Sequence, residues 1–484
     1  MTTTTTTTTT VGPTPTSGSA SQVALLRLAF VGGRSDRLRV ALTVTGAALA
    51  TLIALLGMTI AFIRTSKGDG PYTIDLIDES GLRPGVLVGL AALAVPVVVF
   101  VGLCTRVGAP GRDRRLSMLR MAGATPSQAT RIAGFETGLA AGMGALVGTA
   151  LHSLARLLLH EGDVEQRTFP TDVDLPTLVI AGVVVAVTVG AVVSSAFAMR
   201  RVRISPFGVH RIEQRQPPGR WAAMIFAIGF VGLLGTNALL RVLPDLVAVV
   251  ALFALVCFIL CFVGLLVGGA SFAVTVGRFL AARTSRPSVL IAARRMTDAP
   301  YTSSRATASV LLAVLIGSAI QATRSNFLTS QDPADTFYRD SFDLINVVLL
   351  IAIVIAAASL VVTSSEAIVE RRRTLAALAA SGTPRSVMAR AAILEPLVPL
   401  VPTVFAATAA GTLFARSLFG TTVERLESFQ PNAQSNFIEV AVPVPWVELT
   451  VLAGGAITVA VLATVLSLLL LPASTSMTEL RTAA

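Results

Sequence analysis

The sequence predicts an all-α integral membrane protein of ten transmembrane helices, arranged as two parallel four-helix repeats joined by a two-helix linker. Three observations predict it. Of 484 residues, 53% are apolar and only 13% charged, with a mean hydropathy of +0.76, whereas a soluble domain is about 25% charged. Apolar runs of about 20 residues, long enough to cross a bilayer, recur along the chain. A shift of 259 residues aligns part of the chain with itself.

Taken in order, residues 1–22 are a threonine tract with a Pro/Ser/Gly-rich continuation and little to bury, which predicts a disordered cytoplasmic tail. No signal peptide is expected, because the first long apolar run starts near Val40 and is long enough to span. Spans are then predicted near residues 40–63, 84–105, 134–158, 177–199 and 221–240, and near 246–270, 306–323, 344–365, 396–419 and 447–471. The first repeat occupies 23–205, the linker with spans five and six 206–285, and the second repeat 286–484.

Charge supports the alternation of sides. With the amino terminus inside, the inner segments hold 28 of the 38 basic residues and 9 of the 27 acids, a balance of +19, against −8 outside. Cytoplasmic loops carry such an excess of arginine, so both termini are expected in the cytoplasm. Acids of the outer loops, such as Asp69, Glu161, Asp163 and Asp332, need no cationic substrate. Solvated loops relieved of arginine by topology explain them.

The repeat aligns residues 112–136 with 371–395, matching Arg112/Arg371, Arg114/Arg373, Leu116/Leu375, Leu119/Leu378, Gly123/Gly382, Ser127/Ser386, Arg131/Arg390 and Glu136/Glu395. Each copy lies between the second and third spans of its set. Four spans plus two is an even number, so both sets share one orientation, unlike inverted-repeat carriers. Physically each copy reads as a short basic helix ended by a glycine C-cap, with apolar knobs among arginines. Such a helix is suited to dock in a groove of a cytoplasmic partner and to meet lipid phosphates. The docking residues expected are Arg112, Arg114, Leu116, Leu119 and Gly123, with Arg371, Arg373, Leu375, Leu378 and Gly382.

The segments "RDRRLSMLRMAGATPSQATRIAGFE" and "ERRRTLAALAASGTPRSVMARAAILE" resemble the cytoplasmic signature of FtsX-like permeases, the membrane subunits of ABC transporters. The entry segments "LLRLAFVGGRSDRLRVALT" and "LIAARRMTDAPYTSSRATAS" are similar to that family's basic amphipathic elbow before a first span. The resemblance implies a separate ABC-type ATPase, two copies per permease chain, binding ATP and Mg and docking after spans two and eight. It also implies that one duplicated chain does the work of two smaller permeases. The loops at 64–83 and 324–343 hold only about twenty residues where the family often carries a large outer domain, so the resemblance does not carry over periplasmic-adaptor or peptide-sensing roles.

Other constellations carry less. Lys67 is the only lysine and is followed by Gly68, so no phosphate-binding loop with its lysine and neighbouring Ser/Thr is present, and no cofactor is expected in this chain. His152, His160 and His210 are too far apart for a metal site or catalytic dyad, and Cys104, Cys257 and Cys261 lie in apolar runs. Gly134, Gly138, Gly142 and Gly148 are spaced for close helix packing. Pro396, Pro399 and Pro402 make the ninth span bend differently from the third. No ionisable group falls near a predicted span centre, which disfavours ion-coupled transport. The expected function is a permease subunit, not an enzyme, that couples a partner's ATP hydrolysis to export or extraction of a hydrophobic or amphipathic molecule: a lipid, antibiotic or peptide. The alternative is a non-transporting signalling scaffold driven by the same kind of ATPase. A bacterial cell membrane location, membrane lipids as partners and no nucleic acid complete the expectation.

Overall fold

The computed structural model describes residues 34–63, Tyr72, single positions between 83 and 101, and residues 126–160, 170–199, 221–330, 337–426 and 437–470. Among them nine helices are long and apolar enough to cross a membrane. In the first set these are α1 (Arg34–Ala61), α2 (Pro126–Leu158) and α3 (Thr177–Met199). The linker holds α4 (Trp221–Val242) and α5 (Val247–Arg283). A short helix α6 (Pro287–Asp298) leads to α7 (Pro300–Ser330) and α8 (Phe337–Glu370), and another, α9 (Arg372–Ala380), to α10 (Arg385–Phe419) and α11 (Trp446–Ser467).

The nine coincide with nine of the predicted spans. The span predicted at 84–105 lies mostly outside the described residues, but Val97, Phe100 and Val101 within it are helical and buried. The helices start where the local chemistry dictates. Trp221 and Trp446 open α4 and α11 from exposed positions, as interface anchors do. Proline stands in the first turn of α6 and begins α7, where its missing N–H costs nothing. Pro244 interrupts α4 and α5 with a 3₁₀ turn, within a residue or two of the predicted break.

The structure differs from the sequence reading in three places, and the first two differences have physical causes. Helix α5 is 37 residues long, which at 1.5 Å per residue is about 55 Å and outruns a hydrocarbon core of about 30 Å. Its last turns carry Arg278 and Arg283 beyond the apolar zone, with Arg283 over the Phe279 ring at 4.3 Å. Helix α7 continues to Ser330 and so takes Arg324 into its last turns, because Arg324 finds acids on neighbouring helices. Between α10 and α11 the chain forms a two-stranded antiparallel hairpin, β1 (Thr422–Leu426) on β2 (Phe437–Ala441), which the expected all-α class omits.

Packing is close within each set and closest of all between the linker helices α4 and α5. Helix α1 lies on α2 and α2 on α3; α7 lies on α10, with α8 and α11 beside it. A Cβ at Gly144 or Gly148 would run into the carbonyl oxygens of Val44 and Ala48, so these glycines admit the α1 backbone. The sets meet in one apolar cluster that joins Ala47, Val97, Phe100, Ala141 and Ala191 to Ala352, Ile355 and Val362 of α8. The linker pair α4–α5 packs on the second set: Leu233, Ala254, Cys257 and Leu265 share a core with Val314, Leu315, Val404 and Ala407.

Candidate functional site: the arginine-flanked elbow

The second copy of the repeated signature falls on α9 and the first turns of α10. Helix α9 ends at Ala380 with Ser381 as its C-cap residue, and Gly382 follows at φ +85°. Gly382 N–H donates to Ala379 O at 3.0 Å and Thr383 N–H to Leu378 O at 3.0 Å. This pair of bonds satisfies the last carbonyls of the helix and requires the left-handed conformation that glycine adopts freely. Pro384 then precedes α10 as its N-cap residue.

The apolar side chains of α9 point elsewhere than predicted. Leu375, expected as an exposed knob for a partner, is 3% exposed and packs in a cluster with Ile368 of α8 and Met388 of α10. Leu378 is half-buried against the same cluster, beside Leu468. The reason is amphipathicity at short range: in a nine-residue helix between two spans, its leucines reach the span ends first. The outward face is instead formed by Thr374, Ala377, Ala380, Ser381 and Gly382. Arg373 lies in α9 and its side chain is outside the described residues, as are Arg112, Arg114, Leu116, Leu119 and Gly123 of the first copy.

Electrostatics tie the elbow together. Arg371 Nη1 donates to Glu395 Oε1 and Oε2, each at 2.9 Å, so the first and last identities of the repeat form an ion pair. Arg295 of α6 approaches the same carboxylate at 3.9 Å. Its Nη2 is buried with no hydrogen-bond partner. Burial lowers the Arg295 pKa from its ordinary value; Glu395 opposes that shift and Arg371 adds to it. The guanidinium nevertheless stays protonated, as arginine does in proteins. The carboxylate side chain is only 10% exposed and lies where α6, α9 and α10 converge. Sequence reasoning marked Arg371 and Glu395 as repeat identities but missed their contact; the 24-residue separation is bridged by the turn at Gly382.

The glycines predicted for helix packing divide between two neighbours. Gly134, Gly138 and Gly142 face Val192 and Thr188 of α3, whereas Gly148 faces α1. At the acid-rich end, Arg324 donates to Glu448 at 3.3 Å and stands 4.0 Å from Asp343, which joins α7, α8 and α11. One turn earlier Gln321 donates to Asn346 at 2.7 Å. In the first set His152 and Thr59 are hydrogen-bonded at 3.1 Å, a link between α1 and α2. Among the described residues no group of His, Cys, Asp or Glu is placed to hold a metal ion.

The family model described as "FtsX-like permease C-terminal" matches residues 86–207 and again 346–472, together just over half of the chain. The two matches begin 346 − 86 = 260 residues apart, one residue from the internal repeat shift, and each contains one copy of the signature. No curated protein and no solved structure matches the chain. With the match falling twice, once on each copy of the repeated signature, the chain belongs to the FtsX-like permease family, the membrane subunits of ABC-type transporters.

Proposed function

We propose that this permease subunit couples ATP hydrolysis by a separate ATPase to export or extraction of an amphipathic, lipid-like molecule across a bacterial cell membrane. Both termini lie in the cytoplasm, and one ATPase copy, carrying ATP and Mg, docks on each signature. The observation that supports this best is the mechanical build of the second elbow. Helix α9 is fastened to α10 by the Arg371–Glu395 pair and to α8 and α10 by the Leu375 cluster. A push on its outward face therefore moves two spans rather than bending a loop. Two further features favour an amphipathic cargo: apolar faces open toward lipid along α2, α3 and α4, and outer loops too short for a receptor domain.

The docking surface is the outward face, Thr374, Ala377, Ala380 and Ser381. The repeat register assigns Met118 to the position of Ala377. Ala377→Asp with Met118→Asp is the test, read as copurification of untagged ATPase with the tagged permease. Ala377 is exposed, so its change costs within about 0.5 kcal/mol of stability. Loss of the ATPase from a permease with unchanged elution and melting temperature is the expected outcome. Full retention of the ATPase by the double variant overturns the assignment.

A further inference from the structure

At the acid-rich end of the first set, Ser153, Arg156 and Leu157 on one face of α2, with His160 two residues past its end and Thr171, line an open pocket of about 280 Å³. Arg156 Nη2 donates to Thr171 O at 2.8 Å and to Asp174 Oδ1 at 3.0 Å. His160 Nδ1 and Thr171 Oγ1 are 3.3 Å apart. Asp174 is 96% exposed, so its pair with Arg156 is a rim contact that water and salt weaken. Among the described residues, Arg156 Nε and Nη1 and the Ser153 hydroxyl have no hydrogen bond. The pocket thus offers mainly donors, which suits a headgroup rich in acceptors.

The same helix face continues away from the pocket as Ala150, Leu146 and Met143, all exposed. Ten residues separate Arg156 from Leu146, about 15 Å of helix and about half a hydrocarbon core. That is the depth of one leaflet. In the second set Arg416 of α10 likewise donates to a backbone carbonyl, Val442 O at 2.9 Å. There the end is closed by Phe419 against Phe327, ring centroids 5.4 Å apart, and by the β1–β2 hairpin. The pocket is therefore a property of one half of the duplicated chain.

We infer that Arg156, His160, Ser153 and Thr171 bind the phosphate-bearing headgroup of a lipid-like amphiphile whose acyl chain lies along Ala150, Leu146 and Met143. The inference deepens the proposed function by naming the site and chemical class of the amphiphile, and it rests on that reading only in taking the bound amphiphile to be the molecule transported. Its test needs neither ATP nor the ATPase, so failure of transport and failure of this site are separable.

The full-length permease in phosphate-free maltoside micelles is mixed with phosphatidylglycerol carrying a diazirine in one acyl chain and irradiated. Labelling is mapped by peptide. Residues 143–157 are expected to carry at least about tenfold more label than α3, a difference of about 1.4 kcal/mol in occupancy. Helix α3 is the reference because only 11% of its apolar window is buried, so annular lipid labels it freely. The same diazirine on diacylglycerol, lacking phosphate, is expected to lose the preference, as are Arg156→Gln and Ser153→Phe. Ser153 is exposed and has no hydrogen bond among the described residues, so Ser153→Phe fills the pocket without disturbing the fold if Arg156→Gln folds poorly. Even labelling of α2 and α3, equal labelling by the diacylglycerol, or an unchanged pattern in Ser153→Phe overturns the inference.

Discussion

Glu395 accepts both bonds from Arg371 and leaves Arg295 at 3.9 Å with one nitrogen unpartnered. Taking away the carboxylate leaves two partly buried guanidinium groups side by side, and losing one member of such a pair costs about 3 kcal/mol. Glu395→Gln is therefore expected to release α9 from α10, seen as faster trypsin cleavage at Arg371–Arg373 in the purified permease. Equal cleavage of wild type and variant would show the pair to be mechanically idle. Leu375 acts at the same place through packing. Leu375→Ala removes a side chain 3% exposed and is expected to cost about 2–5 kcal/mol, read as a lowered melting temperature. Loss of partner binding in that variant would report a damaged elbow rather than a lost contact, which is why the docking test uses Ala377.

At the scale of elements, the turn that ends α9 depends on one backbone conformation. At φ +85° an alanine in place of Gly382 pays about 1–2 kcal/mol of steric strain that asparagine partly escapes. Gly382→Ala is expected to loosen the elbow in the same trypsin assay and Gly382→Asn to do so less; the reverse order would contradict the cap. The α1–α2 contact is more demanding. At Gly148 the obstacle is the Ala48 carbonyl itself, with the Thr51 Cβ 2.9 Å from an added methyl. Spans in lipid associate through such close approaches because burial of apolar surface no longer drives them.

Across the whole molecule, among the described residues, the two sets meet where α1, the second span, α2 and α3 pack on α8, while α4 and α5 share a core with the second set. The duplication is thus symmetric in sequence and asymmetric in cover. If both signatures face the cytoplasm, single cysteines at Ser117 and Ser381, with Cys104, Cys257 and Cys261 replaced by alanine, will react with a membrane-impermeant maleimide only in inside-out vesicles. Labelling of the two from opposite sides would dismantle the parallel arrangement.

The location of nine spans was readable because length and polarity along a chain are one-dimensional quantities. A run such as 177–196 must span, whatever surrounds it. The break at Pro244 and the glycine at 382 were readable for the same reason, being local backbone preferences. The repeated signature carried the family, since it is a pattern of residue types at fixed spacing. What three dimensions decided was direction and company. Leu375 turned inward because the ends of α8 and α10 lie within its reach, Arg371 found Glu395 across a turn, and Arg156 came to border an open pocket while Arg416 came to lie against the chain at Val442. A hydropathy pattern says that a side chain leaves water, but whether lipid or another helix receives it depends on distances between segments far apart in the chain.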